Sequence, residues 1–335
     1  MCIQPPPAPG CESSHQKTNK HGTEQQLKVK VRVLCNSTML EQKHNDLLAD
    51  EISKPTRGPA AIEDAWENVD FFIQYWNLSE QETANFLEVR DRLSDIQHPL
   101  NRPGAVVRYM RARSFHVDRS ESMIRETVAW RAQNGVDSIL KDYNPPQEIL
   151  RHYPGAILKG TDRTGDPIFV SRTGVTDLHG MVEKYGEEEM IRYEIYRREA
   201  ALEGAWVREW ENNAGRPIQR TLVIEDLHGL NMRHLAKKVT KFYGLVCDID
   251  AKYYPETNKK IVIIRAPAAF RLIWAVVKHF FDPSVVSKME FCGEQFHDVL
   301  GKYVDLHVLP PCIFPEGKGE AVEGLPPRFE GGNLP

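Results

Sequence analysis

Two short runs, TLVIEDL at 221–227 and KIVIIRA at 260–266, are apolar at nearly every position and are separated by helical patterning from about Asn231 to Tyr253. Strands that are apolar on both sides are covered on both sides, and a helical crossover between them makes the pair parallel. This βαβ unit calls for a mixed or parallel sheet with helices packed on it. Upstream, GAILKGTDRTGDPIFVSRTG at 155–174 reads as strand, Gly-Asp-Pro turn and strand, and a charged amphipathic helix is expected from about Glu183 to Asn212. MEFCG, from Met289, supplies a further strand.

Before the sheet the periodicity is helical. Ile62, Trp66, Val69, Ile73 and Trp76 share one face. SEQE at 79–82 has the spacing of a capping box, opening a helix that turns Phe86, Val89, Leu93 and Ile96 inward. Asp118 and Glu121 repeat the capping arrangement ahead of a helix holding Met123, Ile124, Val128 and Trp130, which ends near Gly135. The expected organisation is a helical module at 60–145, a larger α/β domain at 146–315 and a tail at 316–335. Residues 1–59, rich in Pro, Gln, Asn, Ser and Lys, are expected to stay disordered. Within them, LKVKVRVLC at 27–35 alternates like a half-buried strand and reads as a mobile piece or a docking arm.

The 335 residues, 41% apolar, suffice for one large domain plus a smaller module. A net charge of -4 argues against a nucleic-acid partner, which calls for a basic footprint. The six cysteines lie far apart without metal-ligand spacing, so reduced thiols, no metal and a cytoplasmic setting are expected. No uncharged apolar run approaches the roughly 20 residues of a spanning helix, and the first residues lack a signal-peptide core.

A sheet of this kind invites nucleotide or hydrolase chemistry, but the motifs for it are missing. There is no G-x-G-x-x-G after a strand, no phosphate-cradling P-loop, no G-x-S-x-G elbow and no H-E-x-x-H pair. Nor does any of the histidines sit at a recognisable spacing from a nucleophile, so no catalytic residues and no enzyme are expected. Glu225-Asp226 ends a strand, where it either meets a ligand or caps the following loop.

FRLIWAVVKHFF at 270–281 is the most apolar helix-forming segment. Phe270, Ile273, Trp274, Val277 and Phe281 share a face that Leu272, Val276 and Phe280 widen. It is either a core helix or a lid that closes a cavity and enters a bilayer interface. Lys237, Lys238 and Lys241 are either docking cations for anionic membranes or a solvated helix face.

Five ordered segments carry a resemblance: VVRYMRARSFHVDRSESMIRETVAWR at 106–131, TDRTGDPIFV at 161–170, IEDLHGLN at 224–231, YYPETNKKIVIIRAP at 253–267 and FFDPSVVSKMEF at 280–291. Together they resemble the CRAL-TRIO family of lipid-transfer proteins, in its phosphatidylinositol-transfer (Sec-fourteen-like) branch, from about residue 62 to 309. The resemblance implies an α/β fold: a helical N-terminal module, then a mostly parallel sheet whose helices enclose a hydrophobic pocket with a helical lid. It implies phosphatidylinositol as a bound ligand, no cofactor, and Arg113, Glu256 and Lys288 as headgroup-binding residues. Around a second lipid it places Leu158 (or Ile157, if the alignment slips by one), Phe169, Thr221 and Val223. Thr221 alone keeps a hydroxyl there, so phosphatidylcholine is not the expected exchange partner. It implies further a monomer peripherally associated with membranes of Golgi or endosome type, with lipid kinases as partners. The family's usual C-terminal motif is replaced by LPPCIFPEGKG at 309–319, which leaves the closing loop open. A carrier of a sterol or a terpenoid (tocopherol, retinoid or squalene), and a lipid-sensing interaction module, are the alternatives.

Overall fold

The computed structural model describes residues 63–320 except 154, 205, 206, 208–210, 212, 213, 269 and 282. They lie within the second of two compact units of the chain, Thr56–Pro335. The run at 27–35, Ile62, Asn212 and the tail beyond residue 320 lie outside the described residues.

The helical part opens with α1 (Val69–Tyr75) and α2 (Glu80–Arg92). Ser79 and Glu82 close the expected capping box, with the Glu82 carboxylate accepting from the Ser79 backbone N–H at 2.9 Å. Next come α3 (Pro103–Ala112) and α4 (Val117–Asn134). The α4 cap differs from expectation: the His116 ring accepts from the Arg119 backbone N–H. Asp118 sits inside the first turn, where its charge favours the helix dipole instead of capping it. Gly135 closes α4 at φ 61°, a left-handed conformation that costs glycine nothing. Phe86, Val89, Leu93, Val106, Met110 and Ile124 form this module's core.

Five strands form one sheet in the order β1-β2-β3-β4-β5. The hairpin of β1 (Gly155–Thr161) and β2 (Pro167–Ser171) is antiparallel, while β3 (Thr221–Asp226), β4 (Asn258–Ile264) and β5 (Met289–Phe291) run parallel to β2. Alternation along each strand divides the side chains between two layers. Leu158, Ile168, Val170, Leu222, Ile224, Val262 and Ile264 face a layer built from Phe296, Leu300, Val304, Leu309 and Ile313. The opposite face looks toward α5 (Leu178–Glu203) and α6 (Lys237–Tyr253).

Both of these helices start elsewhere than their periodicity suggests. The Asp177 carboxylate caps α5 by accepting from Gly180 N–H, so the helix begins at Leu178, five residues ahead of the expected start. Gly186, at φ 84°, then breaks α5 into two stretches. Residues Met232–Leu235 form a 3-10 turn capped by Asn231 and His234, so α6 proper begins at Lys237. The helical module is riveted to this layer: the Trp130 ring stacks on Tyr253 at 4.0 Å, and Arg131 forks onto Glu199 at 2.8 and 3.0 Å. A further helix, α7 (Phe270–Val277), gives way to a 3-10 turn at Lys278–Phe280, short of the single helix expected to Phe281.

The unusual C-terminal segment is tied down by backbone bonds. Gly319 N–H donates to Leu309 C=O and Lys159 N–H donates to Glu320 C=O, while Arg265 reaches the Cys312 carbonyl.

Candidate functional site: a lidded cavity

Between the sheet and α5, α6 and α7 lies a cavity of about 290 Å³. Ligand sites commonly start near 300 Å³. Val223, Ile261, Ile263 and Met289 floor its middle, and every expected lid residue, Phe270, Ile273, Trp274, Val277, Phe280 and Phe281, lines it from above. The lid has a second apolar side: Leu272 is 64% and Val276 45% exposed. Phe291, itself exposed, holds the lid edge to β5 through rings at 5.6 Å from Phe270 and 4.9 Å from Trp274.

Of the expected second-ligand positions, Phe169, Thr221 and Val223 line the cavity and Leu158 does not. A strand sends consecutive residues to opposite faces, and Leu158 falls on the far layer while its neighbour Ile157 packs with Ala201 and Phe169 on the helix side. Of the two alternatives, Ile157 is therefore the one on the helix side of the sheet, although it packs against Ala201 and Phe169 and does not line the cavity itself.

The expected headgroup residues are gathered in part. Lys288 donates to the Glu256 carboxylate at 2.9 Å, with both side chains about one-fifth exposed. Their chain neighbours Thr257 and Met289 line the cavity, so this pair stands at its rim. Glu256 is held at φ 58°, a conformation few residues other than glycine adopt. Arg113 joins neither of them. It follows α3, gives a hydrogen bond to the Ala112 carbonyl and makes no ion pair among the described residues. Arg111, stacked over Trp76 at 5.9 Å, is instead the arginine that feels the Glu256 charge. Burial and the nearby Arg220 hold its pKa below the usual range.

The other end of the cavity is polar, and of it the sequence reading had only Glu225. Across β2, β3 and β4 the register sets Ser171, Glu225 and Ile263 side by side, all lining the cavity. Glu225 accepts from the Thr173 hydroxyl, and burial raises its pKa above the ordinary glutamate range. Asp226, one residue on, is fully buried on the opposite face. There it caps the turn through His228 N–H at 2.9 Å and binds Arg172 and Arg265. Asp226 thus fits the capping reading, while Glu225 faces the cavity.

From α5, Arg197 enters with its guanidinium 4.9 Å from the Tyr153 ring and 4.6 Å from Phe169. Glu194 bonds both Arg197 and Arg198, and Arg198 also bonds Asp250. The signal for this cluster was the E-x-x-R-R spacing, which on a helix brings the three onto one face. In an apparently solvated helix it gave no hint of pointing inward.

Lys238 and Lys241 reach Glu183 and Glu187 on α5, which supports their reading as a paired, solvated face. Among the described residues no helix is long and apolar enough to cross a membrane, and no cluster of His, Cys, Asp and Glu could hold a metal.

Comparison with known proteins bears on the same region. Residues 151–312 match the CRAL/TRIO domain. The chain is 28% identical over 272 residues to "Protein real-time" of Anopheles gambiae, covering 79% of this chain and 39% of that protein. It is 30% identical over 207 residues to the "Phosphatidylinositol/phosphatidylcholine transfer protein SFH4" of Arabidopsis thaliana, covering 61% of this chain and 34% of that one. The chain thus spans well under two thirds of these relatives' length. The crystal structure of Sfh5 superposes with a TM-score of 0.55 at 13% identity, over 65% of this chain and 82% of that one, which speaks to the fold. With a helix-covered mixed sheet, a lidded apolar cavity and this match in hand, residues 151–312 of the chain are a CRAL/TRIO domain.

Proposed function

We propose that the chain is a non-enzymatic carrier that binds phosphatidylinositol, exchanges it at membrane surfaces for a second lipid and presents it to lipid kinases. The observation that carries this reading is α7, whose inner face closes the cavity while Leu272 and Val276 stand in solvent outside. Two acyl chains hold about 30 methylenes, and at about 0.8 kcal/mol each their exposure to water costs on the order of 25 kcal/mol. A carrier avoids that barrier by docking the lid in the interface and opening it there, so that neither lipid is wetted.

The rim favours an inositol phospholipid. Lys288 could leave Glu256 for the phosphodiester, joined by Arg113 on leaving the Ala112 carbonyl, and the freed carboxylate would accept inositol hydroxyls. The name of the Arabidopsis relative supports the same class. Phosphatidylcholine is disfavoured as the second lipid, because Thr221 offers the one hydroxyl among Phe169, Thr221 and Val223. Each unsatisfied phosphate oxygen would cost about 1 to 3 kcal/mol.

The test is native extraction and mass spectrometry of the lipid that copurifies from a eukaryotic host. Phosphatidylinositol is expected in the unaltered protein and lost from the Arg113→Ala, Lys288→Ala double variant. An apolar molecule retained equally by both would overturn the headgroup assignment.

A further inference from the structure

The two polar regions of the cavity differ in kind. Thr221 and Thr257 lie by the Lys288 rim, whereas Glu225 lies four residues further along β3, about 13 Å at strand spacing. Val223 and Ile261 separate them with hydrocarbon.

Charge at the Glu225 end is already balanced without Glu225. The two cations, Arg197 and Arg198, are matched by Glu194 and Asp250. Among the described residues Glu225 forms no ion pair, although it feels the charge of Arg197; its close partners are the hydroxyl and backbone of Thr173 and the Ser171 hydroxyl. Around it the cavity offers hydrogen-bonding groups that lack full partners. The Arg197 Nε is buried and unpartnered in a side chain 8% exposed. The Tyr243 hydroxyl lies near Thr173 and finds no partner at hydrogen-bonding geometry among the described residues. Such groups in a low-dielectric site are costly when left unmade.

We propose that Ser171, Thr173, Glu225 and Tyr243 form an interior subsite for the hydroxyl of an otherwise apolar lipid, which is the second ligand of the carrier. This rests on the lipid-exchange reading above. An anionic end, whether phosphate or carboxylate, would face a carboxyl and two arginines whose charge is already spent. An alkane would leave the buried polar atoms unmatched. A single hydroxyl both donates and accepts, and so does an unionised carboxyl; burial pushes Glu225 toward that form. The acyl chains of a phospholipid held at the Lys288 rim would bring only hydrocarbon to this end. The two ligands therefore compete for the cavity while using opposite poles.

The experiment incubates the whole chain with phosphatidylcholine vesicles that contain equal mole fractions of hexadecanol, hexadecane, hexadecylamine and palmitate. After reisolation, the bound molecules are quantified. A parallel set of vesicles contains phosphatidylinositol alone as the guest. Hexadecanol is expected to exceed hexadecane by about ten-fold, the worth of one or two net hydrogen bonds. In Glu225→Leu and in Thr173→Val the ratio should fall toward one, with hexadecane uptake showing that the cavity still forms; Glu225→Gln, which keeps a donor and an acceptor, should retain most of it. Preference for the amine or the acid, or a ratio unchanged in Glu225→Leu, overturns the subsite. Phosphatidylinositol uptake without any alcohol preference sinks this inference and leaves the carrier reading standing. Failure to take up any lipid sinks both.

Discussion

Glu225 and Asp226 show how much one residue's place on a strand decides. Both are acidic, yet the first faces a cavity and the second is buried against a protein layer. Asp226 is 0% exposed and bridges Arg172 and Arg265, the latter at 2.6 Å. Removing it takes a buried carboxylate away from two partly buried cations and leaves the His228 N–H without its acceptor. Asp226→Ala is therefore expected to cost about 3 to 5 kcal/mol in urea unfolding, within the range for breaking a buried pair. An unaltered midpoint would mean that water replaces the carboxylate without loss. The sequence pointed to this acidic pair but could not separate its members, because period-2 alternation assigns faces only relative to a known neighbour. The same ambiguity left Leu158 and Ile157 as alternatives. Arg197 was harder still, since an arginine on a charged helix looks solvated until three rings are seen around it.

At the scale of elements, the strands and the apolar lid were the most legible, and helix starts the least. The runs at 221–227 and 260–266 became adjacent parallel strands because a short, continuously apolar segment suits little besides a strand covered on both faces. Helix boundaries moved where capping groups overrode periodicity, as at His116, Asp177 and Asn231. For α7, every inward residue was readable from spacing, while the exposure of Leu272 and Val276 was not. If those two side chains enter the bilayer, Leu272→Asp with Val276→Asp should weaken binding to vesicles by at least about ten-fold, each lost insertion being worth about 1.5 to 3 kcal/mol. Sedimentation with liposomes measures this. Equal sedimentation would move the docking surface elsewhere.

Over the described molecule, contacts are graded from a rigid interior to a lightly held lid. The middle of β3 and β4 is buried between two layers, whereas α7 buries Ile273 alone and ends in a 3-10 turn. Hydrogen exchange should follow that gradient, with amides of 270–281 exchanging far ahead of those at 222–224 and 262–264. Uniform protection would argue against a lid that opens by itself. The riveting of α4 to α5 and α6 through Arg131, Glu199 and Tyr253 lay beyond the sequence, because contacts so distant along the chain leave no local pattern.

The two-layered sheet also leaves a mark in the numbering. Positions 169, 171, 221, 223, 225, 261 and 263 meet the ligand space, whereas 158, 168, 170, 222, 224, 262 and 264 meet the supporting layer. Apart from Asn258 at the start of β4, odd positions are open to change in what the protein carries, and even ones answer for whether it folds. A descendant of this chain could acquire a new cargo by substitutions of one parity, leaving the other untouched.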